Sequence, residues 1–137
     1  MALEIAIVRL NDMTRRALLA LCLLIVSIAP TSADPAMRCF SVSEMTGWHS
    51  PDGRTIYIRT GADRYYRIDL AQKCSSLKSV NPQLVLISRQ GGVICSVLDL
   101  GVKASQTPGG IPEPCFPTAM SQLSAAQAAS LTKDERP

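Results

Sequence analysis

Apolar and polar side chains alternate along Thr55-Ile56-Tyr57-Ile58-Arg59-Thr60 and again along Arg64-Tyr65-Tyr66-Arg67-Ile68-Asp69-Leu70, with Gly61-Ala62-Asp63 between the two runs. A period of two with β-branched and aromatic residues on both sides of a Gly-containing break is the signature of an antiparallel hairpin. Its inward face is predicted to be Ile56, Ile58, Tyr66, Ile68 and Leu70; its outward face is predicted to be Tyr57, Arg59, Tyr65 and Arg67. Upstream, Ser50-Pro51-Asp52-Gly53 predicts a chain reversal, because proline presets the second turn position and Asp-Gly follows it. The segment Arg38 to Trp48 fits either a short strand or a helical turn, with Phe40, Val42 and Met45 inward.

A second hairpin is expected downstream. Gln83-Leu84-Val85-Leu86-Ile87-Ser88 follows the Asn81-Pro82 break, and Gln90-Gly91-Gly92 turns the chain into a long strand over Val93 to Val102, with a bulge near Gly101. Ser105 to Pro114, rich in proline and glycine, is predicted as a loop. Past it, Ser124-Ala125-Ala126-Gln127 has the form of a capping box, and Leu123, Ala128 and Leu131 trace an apolar stripe on a short helix ending near Thr132, before a charged tail over 133–137. The fold class predicted is therefore mainly β (α+β): a small antiparallel barrel or sandwich of about four to six strands with a short C-terminal helix.

The first 33 residues have a different pattern. Thr14-Arg15-Arg16 precedes an uncharged, Leu-rich run from Ala17 to Ala29, and Pro30-Thr31-Ser32-Ala33 ends in small residues before Asp34. A basic start, a short apolar core and a small-residue exit predict a secretory signal over 1–33 with cleavage after Ala33, and the run is shorter than the roughly 20 residues a spanning helix needs. Met1 to Leu10 is a poor basic region, so translation from Met13 fits the signal better. Thr14 to Leu19 has only a faint twin-arginine character, and Cys22, preceded by Leu21, does not fit a lipoprotein site. The expected location is periplasmic or secreted.

Loss of that segment takes Arg9, Arg15, Arg16, Glu4 and Asp12 from the 14 basic and 11 acidic residues and leaves a net charge of +2. That is too little to imply a nucleic-acid partner or attachment to an anionic membrane. The cysteines left are Cys39, Cys74, Cys95 and Cys115, an even set that predicts two disulfides in an exported chain of this size. Their pairing is expected to be Cys74 with Cys95 and Cys39 with Cys115, the latter tying the ends of the domain together. With no Cys-x-x-Cys and a single histidine, His49, neither a metal site nor redox-active thiols are expected, and no cofactor is implied.

Candidate chemistry is thin. Trp48-His49 stands beside a turn with no other ligand-type residue near it, and no Gly-x-Ser-x-Gly places a serine on a nucleophile elbow. Asp69 and Asp99 fall in strand patterns, where a solvated or paired carboxylate is the ordinary reading; Asp63 lies in the turn. Tyr57, Arg59, Tyr65 and Arg67, with Arg54 and Arg64 nearby, gather the residue types that anchor interfaces, although cross-strand stacking for the sheet's own stability explains them equally well.

The order Cys39, the hairpin Thr55 to Leu70, Cys74 with Leu77, Ile94-Cys95, Asp99-Leu100-Gly101-Val102, Cys115 and Leu123-Ser124 resembles a bacterial family of small exported proteins, domain of unknown function 6491. The chain departs from its pattern at Ser75-Ser76-Leu77, where Pro-Gly-Leu is typical, and at Phe116-Pro117, where a small apolar pair is usual. The resemblance implies an exported, disulfide-bonded, mostly β domain and carries no activity, cofactor or site residue. Three readings follow: a non-enzymatic binding or structural module contacting another exported protein or an envelope component; an inhibitor of an exported hydrolase, a protease or lysozyme, inserting the Ser105 to Pro114 loop; and a small hydrolase using His49.

Overall fold

A computed structural model describes residues 38–137; the predicted leader over 1–33 and Cys22 lie outside the described residues. The alternating runs at Thr55–Thr60 (β3) and Arg64–Leu70 (β4) pair antiparallel, with Ile56 opposite Ile68 and Ile58 opposite Tyr66. All five residues predicted to face inward are buried. A strand this regular follows from its composition, since β-branched and aromatic side chains fill one pleated face and polar ones the other.

The segment before it uses both conformations that its sequence allows. Phe40–Ser41 (β1) runs into a 3-10 turn over Val42–Glu44, capped by reciprocal bonds between Ser41 and Glu44, and continues as Met45–His49 (β2), which pairs with β3. The chain then reverses at Ser50–Gly53 as predicted. Asp52 Oδ1 accepts from Arg54 N at 2.8 Å and Thr55 N at 2.7 Å, and Ser50 Oγ donates to Thr55 O at 2.7 Å. Gly53 sits at φ +75°, and a Cβ there would stand 3.2 Å from Cys74 O, so the turn needs a glycine for both reasons.

Two expectations are corrected here. Val93 to Val102 is not one strand: it divides into Val93–Ile94 (β6), a 3-10 turn over Val97–Asp99, and Leu100–Ser105 (β7). The Asp99 carboxylate reaches back to Cys95 N at 3.3 Å and Ser96 Oγ at 3.0 Å, which closes the turn that an apolar run conceals. Gln83–Ser88 (β5) therefore pairs with β7 and not with the residues immediately after its turn; Gly101 lies in regular register opposite Ile87, with no bulge.

The second correction concerns the disulfides. Cys39 pairs with Cys95 and Cys74 with Cys115, not Cys74 with Cys95 and Cys39 with Cys115. The cause is register. β1 lies antiparallel to β6 with Phe40 opposite Ile94, so Cys39 and Cys95 are the next facing pair, their Cα atoms 4.1 Å apart. The buried Cys74–Cys115 bridge ties the 3-10 turn Ser75–Lys78 to Glu113–Cys115 (β8), which extends the β5-β7 sheet.

Pro117–Gln122 (β9) joins the far side of β4, giving sheets ordered β2-β3-β4-β9, β5-β7-β8 and β1-β6. None closes into a barrel, and the described strands number nine because several are only two or three residues long. Phe40 stacks on Tyr66 at 4.5 Å between ring centroids, joining the β1-β6 ribbon to the four-stranded sheet in one core that also takes Leu86 and Val102 from the third. Ala125–Ser130 (α1) follows, with the predicted capping box at Ser124 and Gln127.

Candidate functional site

The outward face of the β3-β4 hairpin brings together the four residues singled out as an interface. Tyr57 lies opposite Arg67 and Arg59 opposite Tyr65. Their expected exposure fails at Tyr57, which is only 6% exposed. The residues after α1 cover it: Tyr57 Oη donates to Glu135 Oε1 at 3.2 Å, while Glu135 Oε2 accepts from Thr132 N at 2.9 Å and Thr132 Oγ1 at 2.8 Å. The segment read as a charged tail is thus folded onto the sheet, with Arg136 donating to the carbonyls of Leu131 and Ala129 at the end of α1.

Most of the charge on and beside this face is paired within the fold, Arg59 being held by a hydroxyl and not by a carboxylate. Arg67 pairs with Asp69 at 2.9 Å, Arg64 with Glu44 at 3.2 Å, and Arg59 Nε donates to Thr46 Oγ1 at 3.2 Å. Burial, and then the Glu135 carboxylate, push the Tyr57 phenol above its ordinary value. The Thr132 N–H holds the Glu135 carboxyl below its own, aided by the Thr132 hydroxyl. Tyr65 and Arg59, both half-buried, are what the face still offers a partner.

Around His49 lies an open cleft of about 410 Å³, lined by Trp48, Ser50, Leu77, Lys78, Val80 and Pro82 among others. Its polar groups are occupied by backbone: Ser50 Oγ bonds Thr55 O and Gly53 N, and Lys78 Nζ donates to Pro51 O at 2.8 Å. No carboxylate lines the cleft to orient the imidazole. Asp63 is exposed in the hairpin turn, Asp69 is taken by Arg67, and Asp99 is buried in the turn it closes, not in a strand. Among the described residues no three His, Cys, Asp or Glu side chains converge as a metal site would require.

The surface that the sequence reading missed is the outer face of the β5-β7-β8 sheet. Val85 and Ile87 of β5 stand 42% and 40% exposed, and Phe116, just past β8, is 57% exposed. Gly101, opposite Ile87, leaves a gap between them: a groove of about 220 Å³ runs past Ile87, Gly101, Phe116 and Pro114, with Arg89 and Lys103 beside it. A Cβ at Gly101 would come within 3.2 Å of Ile87 Cβ. Neither cation has an ion-pair or hydrogen-bond partner among the described residues. The signal was the lack of alternation in β5, where Leu84 to Ile87 are all apolar, so that Val85 and Ile87 stand on the face where a solvated strand would carry polar residues.

A family model described as a family of unknown function, DUF6491, matches residues 13–137. The chain belongs to the DUF6491 family. Neither the curated proteins nor the solved structures contain a match to it. Membership brings no activity to this DUF6491 chain. Phe116, a departure from the family resemblance noted above, forms one wall of the groove.

Proposed function

We propose that this chain is an exported, non-enzymatic binding module that holds an acidic, partly apolar segment of another exported protein against the outer face of its β5-β7-β8 sheet. The observation that carries the reading is the cluster of Val85, Ile87 and Phe116 on one face, exposed astride Gly101 and flanked by Arg89 and Lys103. Contiguous exposed apolar surface with a charged rim is what a contact surface needs, and unpaired cations select a partner of opposite charge. Export is supported by the apolar Ala17 to Ala29 run and by the two disulfides, which persist in oxidising compartments. Among the described residues no helix is long and apolar enough to cross a membrane.

Photo-crosslinking from position 116 in intact cells tests this. One defined exported protein is expected, lost with Ile87→Glu and Lys103→Glu and kept with Tyr65→Ala. A cross-link indifferent to both groove variants but lost with Tyr65→Ala transfers the contact to the Arg59–Tyr65 face and defeats the groove.

A second reading, inhibition of an exported hydrolase, is favoured by Ile111, 95% exposed on the loop that joins β7 to β8, which spans residues 106–112 and not Ser105 to Pro114 because Ser105 ends β7 and Glu113 and Pro114 belong to β8. That loop is braced by Gln83 Oε1 accepting from Gly109 N at 3.3 Å and by Ser79 Oγ donating to Gln106 O at 2.8 Å, and it runs directly into the Cys115 bridge. A pre-ordered loop with an aliphatic tip suits insertion into a cleft. Protease and lysozyme panels with wild type and Ile111→Asp decide it: inhibition that disappears with the variant supports it, and no inhibition at micromolar dose ends it.

A further inference from the structure

Each of the three described sheets ends in two edge strands with no further strand partner among the described residues, and nearly all of these edges are blunted. β2 carries a register shift between Met45 and Gly47, β8 is three residues long with Pro114 at its centre, and β9 opens with Pro117, has its own irregularity opposite Asp69 and Leu70, and carries the polar Thr118, Ser121 and Gln122. β1 and β6 are two residues each. Such devices prevent edge-to-edge pairing. β5 has none of them: Gln83–Ser88 runs six residues in regular register, without proline, charge or bulge.

Its free hydrogen-bonding groups can be assigned. Arg89 N donates to Asp99 O at 2.9 Å, continuing the β5-β7 register, so odd-numbered residues of β5 turn their N–H and C=O groups toward β7. Backbone direction alternates along an antiparallel strand, which aims those of Leu84, Leu86 and Ser88 away from β7. None of these three makes a backbone hydrogen bond to another element among the described residues.

We propose that β5 pairs antiparallel with β5 of a second copy of this chain, about a two-fold axis at Leu86, making one continuous sheet across the dimer. Two independent requirements select this register. With Leu86 opposite Leu86 and Leu84 opposite Ser88 of the other copy, all three outward N–H and all three outward C=O groups of each chain are paired; sliding the strands so that Val85 meets Val85 sets Pro82 opposite Ser88 and, proline having no N–H, leaves the Ser88 carbonyl without a donor. The same Leu86-centred register sets Val85 against Ile87 on the outer face, twice by symmetry, as apolar cross-strand pairs. It also sets Arg89 opposite Gln83, so cation does not face cation. The strand is thus complementary to itself, as a two-fold interface must be.

The pairing uses the edge and leaves Phe116 free, so it stands or falls separately from the groove proposal. Sedimentation velocity on the oxidised protein purified from the exported fraction is expected to show one-chain mass at micromolar concentration moving to two-chain mass toward millimolar. Amide exchange at Leu84, Leu86 and Ser88 slows by about tenfold once nine chains in ten are paired, while Val85 and Ile87 amides, already bonded to β7, do not change. Val85→Lys, at an exposed position, keeps the one-chain mass throughout, whereas Phe116→Ala dimerises like wild type. A single chain at millimolar concentration, a dimer whose Leu84, Leu86 and Ser88 amides stay fast, or a folded Val85→Lys chain that still dimerises overturns the proposal.

Discussion

Tyr57 and Tyr65 occupy one face of one hairpin, and nothing in their neighbours' polarity separates them, yet their energetic roles differ. Tyr57 is enclosed by Leu123, Leu131 and Glu135, so its ring is core in all but location. Tyr57→Ala is expected to cost about 3 kcal/mol, the usual scale for emptying a buried aromatic site, and Tyr57→Phe about 1 kcal/mol for the lost bond to Glu135. Tyr65→Ala, at a half-buried site whose side chain makes no hydrogen bond among the described residues, is expected to cost under about 1 kcal/mol. Urea melts of the three variants check this; equal losses at both tyrosines would show that the residues after α1 do not cover Tyr57. The alternation along β3 was legible, but which outward residue would be covered was not, because the covering group comes from a carboxylate far along the chain.

At the scale of elements, what was readable depended on whether the instructions were local. The β3-β4 hairpin, the Ser50–Gly53 turn and the capping box at Ser124 each rest on side chains within a few residues of what they organise, and each formed as predicted. The stretch from Val93 to Val102 failed because its break is made by one carboxylate, Asp99, folding back on Cys95 and Ser96 inside an otherwise strand-like run. The two bridges differ in access: Cys39 and Cys95 are exposed, Cys74 and Cys115 buried. Mild thiol reductant followed by alkylation should therefore label Cys39 and Cys95 first, since exchange requires the attacking thiolate to reach a sulfur. Each closes a span, of 56 and 41 residues, for which chain entropy gives about 4 kcal/mol. Peptide maps taken along the reduction series test both order and pairing; early labelling of Cys74 and Cys115 contradicts the first.

For the molecule as a whole, acid sensitivity follows from four carboxyls held below their ordinary values. The Ser41 N–H does this for Glu44, the Ser76 N–H for Glu113 and the Thr132 N–H for Glu135; for Asp52, burial works in the opposite direction but is outweighed by the N–H groups of Thr55 and Arg54. Each of these carboxyls binds its proton more tightly when unfolded. The stability they contribute is thus present above the ordinary carboxylate range and is lost as pH falls through the lowered folded values. Thermal melts from neutrality to about pH 3 should show a decline below the ordinary carboxylate range, smaller in Asp52→Asn, and a flat profile would refute the linkage. By itself the sequence determined the mainly β class, the first hairpin with its inward face, the turn, the helix cap and the commitment of four cysteines to disulfides, because each depends on local periodicity, local hydrogen bonds or a count. Only the tertiary structure decided which sulfurs meet, which strand β5 joins, and that Val85, Ile87 and Phe116 share an open face. Those outcomes depend on which distant segments become neighbours, and loop-closure entropy varies too slowly with length to choose among the alternatives before the strands are in register.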